Sequence, residues 1–179
     1  MYPTAEEIEA NREGFLSMGQ SGLRLHCYNA IRAEKLGKPL TKVDRLILLR
    51  SSPHVHTEIQ FSSRYDGVSF SATMQDGSNC CRFKQITYTH PERWDTLFIP
   101  CTEAQEDKGM ARAKEIEGCK YDLIGLLSFA TELNIIKPHP DKYWCNEVCG
   151  EVIIAVKDYD FKPDSLTPTG LFFEIFHRI

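Results

Sequence analysis

The clearest alternation of apolar and polar positions lies in the first half of the chain. In Pro53-His-Val-His-Thr-Glu-Ile-Gln-Phe61, Val55, Thr57, Ile59 and Phe61 share one parity and His56, Glu58 and Gln60 the other, the period of a strand with one apolar face. A turn-rich run from Ser62 to Gly67 follows, and then Val68, Phe70, Ala72 and Met74 alternate with Ser69, Ser71 and Thr73. The two runs predict a hairpin in which Phe61 pairs with Val68. Glu58 then lies opposite Ser71, and His56 is diagonal to it on the same face. Further strands are predicted over Arg45–Leu49, Arg82–Tyr88 and Thr96–Pro100.

Helical spacing dominates elsewhere. Trp144, Val148, Val152 and Ala155 recur as one apolar helix face, behind an approach kept extended by Pro138 and Pro140. Thr102 and Gln105 stand at capping-box spacing and open a charged helix that Gly118 closes. Asp122 is the predicted N-cap of an apolar helix from Leu123 to Phe129. Two more helices are predicted, from Thr4 to Leu16 with Thr4 and Glu7 as its capping box, and from Gly22 to Leu36. The tail is apolar enough around Leu171–Phe176 to dock on the body.

With 179 residues, 42% of them hydrophobic, the chain is expected to form one domain with one core. Residues 1–40 read as a helical N-terminal extension, 45–156 as the core and 157–179 as the docking tail. The fold class is α+β, an antiparallel sheet of about four to six strands packed against the Cys145 helix. A net charge of −4 and no basic cluster argue against a nucleic-acid partner. No apolar run reaches the length of a membrane span, and Met1-Tyr-Pro-Thr-Ala-Glu-Glu does not begin a signal peptide, so a cytoplasmic protein is expected. The seven cysteines lack paired metal-ligand spacings and read as reduced thiols, with no metal.

Chemistry concentrates at Cys145. At the first turn of a helix, unpaired amide groups and the helix dipole favour thiolate over thiol, which suits a nucleophile. The competing reading is a small core residue. His56, on the strand face that also carries Glu58, is the candidate base. His54 has the same parity but follows Pro53 at the strand entrance, and His139 lies in a proline-flanked loop. His26 and His90 read as packing or turn residues. Tyr143 or Trp144, beside the nucleophile, is a candidate to hold an oxyanion together with the Cys145 backbone N–H.

Four short motifs occur in order: His-x-Glu at His56 and Glu58, Ser-Ala at Ser71 and Ala72, Tyr-Asp-x-x-Gly-x-x-x-Phe from Tyr121 to Phe129, and Tyr-Trp-Cys-Asn-Glu from Tyr143 to Glu147. This order resembles the circularly permuted NlpC-like branch of the papain-like cysteine hydrolases, which also contains the lecithin:retinol acyltransferase-like enzymes. The resemblance covers about Arg45 to Val156. It implies a permuted papain-like fold with Cys145 as nucleophile, His56 as base and Ser71 at the third, orienting position. Serine departs from that pattern, where an acid, an amide or a second histidine is commoner. A hydroxyl can accept an imidazole N–H but cannot stabilise an imidazolium by charge, so Glu58 is the other source of that charge. The implied activity is hydrolysis of an amide or peptide bond through a thioester, without metal or organic cofactor. The alternatives are a lipid-directed thioesterase or acyltransferase, and a binding or structural protein that keeps the scaffold without turnover.

Overall fold

The computed structural model describes Thr4, Glu6, Glu7, Ala10 and residues 21–74, 76–126, 139 and 141–179. Its centre is a seven-stranded mixed sheet in an α+β arrangement, with strand order β5-β1-β2-β3-β4-β6-β7. The strands are β1 (Gly22–Asn29), β2 (His54–Gln60), β3 (Ser69–Thr73), β4 (Cys80–Lys84), β5 (Trp94–Pro100), β6 (Lys120–Tyr121) and β7 (Lys142–Tyr143). All neighbours are antiparallel except the short pair β6 and β7, which is parallel. The sheet therefore exceeds the four to six antiparallel strands expected. The surplus comes from β1 and from two strands of two residues each, too short to leave a period in the sequence.

The helix expected over Gly22–Leu36 is instead strand β1 followed by the short helix α1 (Ala30–Lys35). Leu23, Leu25 and Cys27 are fully buried in alternation, which is strand periodicity. β1 lies in the interior of the sheet, between β5 and β2. The apolar run Arg45–Leu49, expected as a strand, lies within and just beyond α2 (Lys42–Leu48). Thr41 caps this helix by accepting the Asp44 N–H, and the Asp44 carboxylate accepts the Thr41 N–H at 2.9 Å. That capping box fixes the segment as a helix.

The hairpin has the expected register. The Phe61 N–H reaches the Val68 carbonyl at 3.0 Å, and Ile59 faces Phe70. On one sheet face, Ile59, Phe70 and Ala72 join a single core with α3 (Glu103–Ile116) and α4 (Cys145–Lys157). Helix α3 has the predicted Thr102/Gln105 box and is followed by Gly118 at φ +81°. Its buried Glu106 accepts the Ser62 N–H at 2.7 Å and the Ser62 hydroxyl at 2.9 Å, which ties the hairpin loop to the helix. Helix α5 (Pro168–Phe176) is the docked tail, with Leu171, Phe172 and Ile175 fully buried. Its Thr169 hydroxyl accepts the His54 N–H at 3.1 Å.

The Thr4/Glu7 capping box forms as predicted and Glu6, Glu7 and Ala10 are helical, with the other residues of that helix outside the described ones. Asp122 caps a helical turn over residues 123–126 through the Gly125 N–H at 2.8 Å. The predicted continuation to Phe129, and most of the loop before Cys145, also lie outside. No helix among the described residues is long and apolar enough to cross a membrane.

Candidate active site

Cys145 is the first residue of α4, which runs from the edge of the sheet across the core face. Glu147 accepts the Trp144 N–H at 3.3 Å and so helps fix the start of the helix. The next residue, Asn146, is fully buried and donates from Nδ2 to the carbonyls of Leu166 at 2.6 Å and Pro163 at 3.3 Å. Both contacts clamp the helix start between the sheet and the tail. The Cys145 N–H, at the first helical position, has no intrahelical acceptor.

The thiol enters a gap that the sheet itself opens. Strands β2 and β3 pair only at Ile59/Phe70 and Gln60/Ser69, and the next hydrogen-bonded pair in that register would be Thr57 with Ala72. It does not form. The Thr57 carbonyl accepts the Ser71 hydroxyl at 2.6 Å, and the Thr57 N–H bonds to the Cys145 sulfur. The buried Thr57 hydroxyl has no oxygen or nitrogen partner and lies against both Cys145 and Cys149.

His56 meets the sulfur from the neighbouring position on β2. Its Nε2 lies 3.0 Å from Glu58 Oε1, which leaves Nδ1 as the nitrogen for the Cys145 hydrogen bond. Glu58 is 2% exposed and is held from its other side by Arg82, with Nη1–Oε2 and Nη2–Oε1 both at 3.2 Å. Arg82 in turn donates to Asp76 at 2.9 Å. The result is a continuous row: thiol, imidazole, carboxylate, guanidinium, carboxylate.

Its charges reinforce one another. Burial alone would push the thiol up, but His56 and then the Thr57 groups hold Cys145 below its ordinary value. Burial would likewise favour a neutral imidazole, yet the bonds to Cys145 and Glu58 raise His56 to about 10. Glu58, which burial opposes as an anion, is held ionised by His56 and Arg82. The preferred state is thus thiolate and imidazolium, backed by a carboxylate. A buried ion pair of this kind is what activates a cysteine as a nucleophile.

Two cavities meet at His56. The larger, about 280 Å³, is lined by Tyr28, Tyr88, Trp94, Leu40, Lys38 and Arg93 among others. The smaller, about 200 Å³, is lined largely by Val43, Ile47, Val55, Ala72, Met74 and Tyr121. Thr41 and Asp44 border both, so the start of α2 forms their shared wall. Cys145 itself is 2% exposed, and His56, at 18%, is the side of the pair that faces the cavities.

No protein-family model, curated protein or solved structure matches this chain. The site is read from its own geometry.

That geometry brings Cys145, His56 and Glu58 together and leaves Ser71 aside. Ser71 lies in the row between Glu58 and Arg82, its register partner on β4, but its hydroxyl is spent on the Thr57 carbonyl. Its small side chain lets the Arg82 guanidinium pass over to Glu58. Trp144 is buried in a cluster with Ala30, Ile47, Val55 and Leu126, and the charged neighbours of Tyr143 include Arg112, Glu151 and Glu147. Tyr121 is the aromatic that lines the cavity beside His56 and feels the Cys145 charge. The residues beside His56 thus include the Cys145 N–H, which lacks an intrahelical acceptor, and Tyr121 in the wall of the smaller cavity.

The other histidines have structural partners. Buried His54 pairs with Asp95 at 2.8 Å, and Asp95 also receives Arg32 at 2.8 Å and Asn29 at 2.9 Å. His26 stacks on Tyr88 with ring centroids 4.0 Å apart, and His90 lies 3.1 Å from Glu92. His139 is exposed and accepts the Asp141 N–H at 3.2 Å. All seven cysteines are free thiols, and no group of three or more candidate ligands converges on a metal position among the described residues. Arg82 and Thr57 escaped the sequence reading. Arg82 was accessible through strand pairing, since Ser71 faces it; Thr57 had only its inward parity as a signal.

Proposed function

We propose that this protein is a cysteine hydrolase that cleaves an amide or peptide bond through a thioester on Cys145. The carrying observation is the Cys145–His56–Glu58 row, in which buried charges favour thiolate and imidazolium. In the reaction the thiolate attacks the carbonyl carbon, and the Cys145 N–H and Tyr121 hydroxyl hold the oxyanion. His56 then gives its proton to the leaving nitrogen. A water molecule, deprotonated by His56, breaks the thioester and restores the pair. The two cavities would take the groups on either side of the scissile bond, each large enough for about one side chain.

This reading accords with the permuted papain-like resemblance, in which histidine precedes cysteine, with Glu58 rather than Ser71 as the orienting group. It requires neither metal nor organic cofactor. The apolar lining of the smaller cavity favours, as a second reading, an acyl chain carried to the same thiol.

The test is a library of peptide amides incubated with wild type, Cys145→Ala and His56→Ala, read by mass spectrometry for new amines and for an acyl group on Cys145. Cleavage by the wild type alone, with an acid-trapped acyl-Cys145, is the expected result. Cleavage that survives in Cys145→Ala would place the chemistry elsewhere. Acylation by fatty thioesters but by no amide would decide for the second reading.

A further inference from the structure

Residues 30–50 carry six Lys and Arg against Glu34 and Asp44, a net of +4 within a chain whose net charge is −4. These cations stand three to five positions apart, so no basic run is visible along the sequence; α1, the following loop and α2 gather them. Arg32 is committed to Asp95, and Arg45 lies 3.7 Å from Glu34. Lys35, Lys38 and Lys42 are exposed.

The same stretch exposes Ile31, Leu36 and Leu49, the last to 72%. The other two large apolar side chains exposed among the described residues are Leu123 and Ile124. They belong to the turn whose Leu126 packs in one cluster with Ala30 and Ile47. Single exposed leucines need no explanation, but here all five exposed residues sit on segments joined through the Ala30, Ile47 and Leu126 cluster, three of them on the stretch that carries the lysines.

We propose that this side of the molecule docks on an anionic phospholipid bilayer. Leu36, Leu49 and Ile124 would enter the headgroup region while Lys35, Lys38 and Lys42 meet lipid phosphates and carboxylates. Nucleic acid would satisfy the lysines but leave the leucines in water. A second copy would bring like charge against like charge. Because Thr41 and Asp44 wall both cavities, docking sets the mouth of the cleft at the membrane surface.

The experiment is co-sedimentation of the full chain with phosphatidylcholine vesicles, with and without phosphatidylserine, over a salt series. Binding that needs phosphatidylserine and weakens with salt is expected. Lys35→Gln, Lys38→Gln and Lys42→Gln together should weaken it on the order of a hundredfold. Leu36→Ser with Leu49→Ser should also weaken it, at unchanged circular dichroism, since all these side chains are exposed. Cys145→Ala should bind like wild type, which separates docking from catalysis. The proposal is overturned if the wild type stays in the supernatant, or if RNA binds more tightly than the vesicles. It is equally overturned if the leucine variant abolishes a dimer seen by sedimentation velocity.

Discussion

The Thr57 N–H bonds to the Cys145 sulfur, where an unbroken β2–β3 ladder would have given it to Ala72. The sheet forgoes one pair of backbone bonds, and both halves of that pair are replaced: the amide by a thiolate acceptor, the carbonyl by the Ser71 hydroxyl. A buried backbone group left unpaired would cost about 1–3 kcal/mol. Ser71 and Cys145 therefore each offset part of the cost of the gap. Cys145, the proposed nucleophile, is thus also part of the sheet's hydrogen bonding.

Titration of the pair gives the most direct prediction. Cys145 should alkylate with iodoacetamide well below the pH of an ordinary thiol, about 8.5. In His56→Ala burial is no longer opposed by the imidazolium, so the thiol should titrate above that value. Glu58→Gln should fall between the two, since it removes the charge behind His56 but not His56 itself. The linkage signs follow. His56, raised in the fold to about 10, contributes stability that is complete below about 6.5 and is lost as pH rises toward its folded value. Glu58, lowered in the fold, contributes above about 4.3 and loses that contribution as pH falls through its folded value. Mass-spectrometric alkylation profiles and urea melts across pH check both halves. Identical profiles in wild type and His56→Ala would end the ion-pair account.

Ser71 separates a structural role from an orienting one. Ser71→Ala leaves the buried Thr57 carbonyl without its donor and should destabilise the fold by about 1–3 kcal/mol. The Cys145 alkylation profile should stay where it is, because the His56 partner is Glu58. A shifted profile at modest loss of stability would instead give Ser71 a hold on the imidazole. Ser71→Asn offers a stricter variant: its longer side chain stands in the path of Arg82, and should weaken the Glu58 contact and slow alkylation at neutral pH.

The two neighbouring histidines predict opposite outcomes. His54→Ala removes a fully buried ring packed 4.9 Å from Phe172 and takes the imidazole away from the buried Asp95 carboxylate. A loss of about 2–4 kcal/mol in urea unfolding is expected, with little change in Cys145 reactivity. His56→Ala should do the reverse. If His54→Ala alters the alkylation profile of a still-folded protein, the assignment of the base to His56 fails.

Much of the site was legible in the sequence, because strand parity and turn length together fix which side chains share a face. The Phe61/Val68 pairing placed His56 and Glu58 correctly, and the helical spacing from Trp144 placed Cys145 at a helix start. The sequence leaves Ser71 and Glu58 open as the orienting group for a physical reason: pairing predicts a shared face but not which polar neighbour a hydroxyl chooses, and here the Ser71 hydroxyl takes the carbonyl of a broken ladder. Gly22–Asn29 is a strand where a helix is expected because its period is ambiguous. Leu23 and Cys27 satisfy a helix as well as a strand, and only Leu25, buried between them, decides for β1. The Arg45–Leu49 run is too short to show a period, whereas Thr41 and Asp44 at capping-box distance carried the helix signal. Two-residue strands such as β6 and β7 have no pattern to read.

Glu147 makes the last prediction, because its environment opposes its charge. Burial, and then Asp164, Asp122 and Glu151, raise its carboxyl to about 7 against the pull of the Trp144 N–H that it accepts. A raised acid is protonated in the fold over a range where the unfolded chain has already lost its proton. Stability therefore falls as pH rises from about 4.5 to about 7, and the loss is complete above that range. Glu147→Gln keeps an acceptor for the Trp144 N–H and removes the charge. Relative to wild type, it should gain on the order of 1 kcal/mol near pH 8 and nothing near pH 4. Urea melts at the two pH values read the difference. An equal gain at both would mean that the amide acts through packing, and the start of the cysteine helix would then carry no pH-dependent strain from this carboxylate.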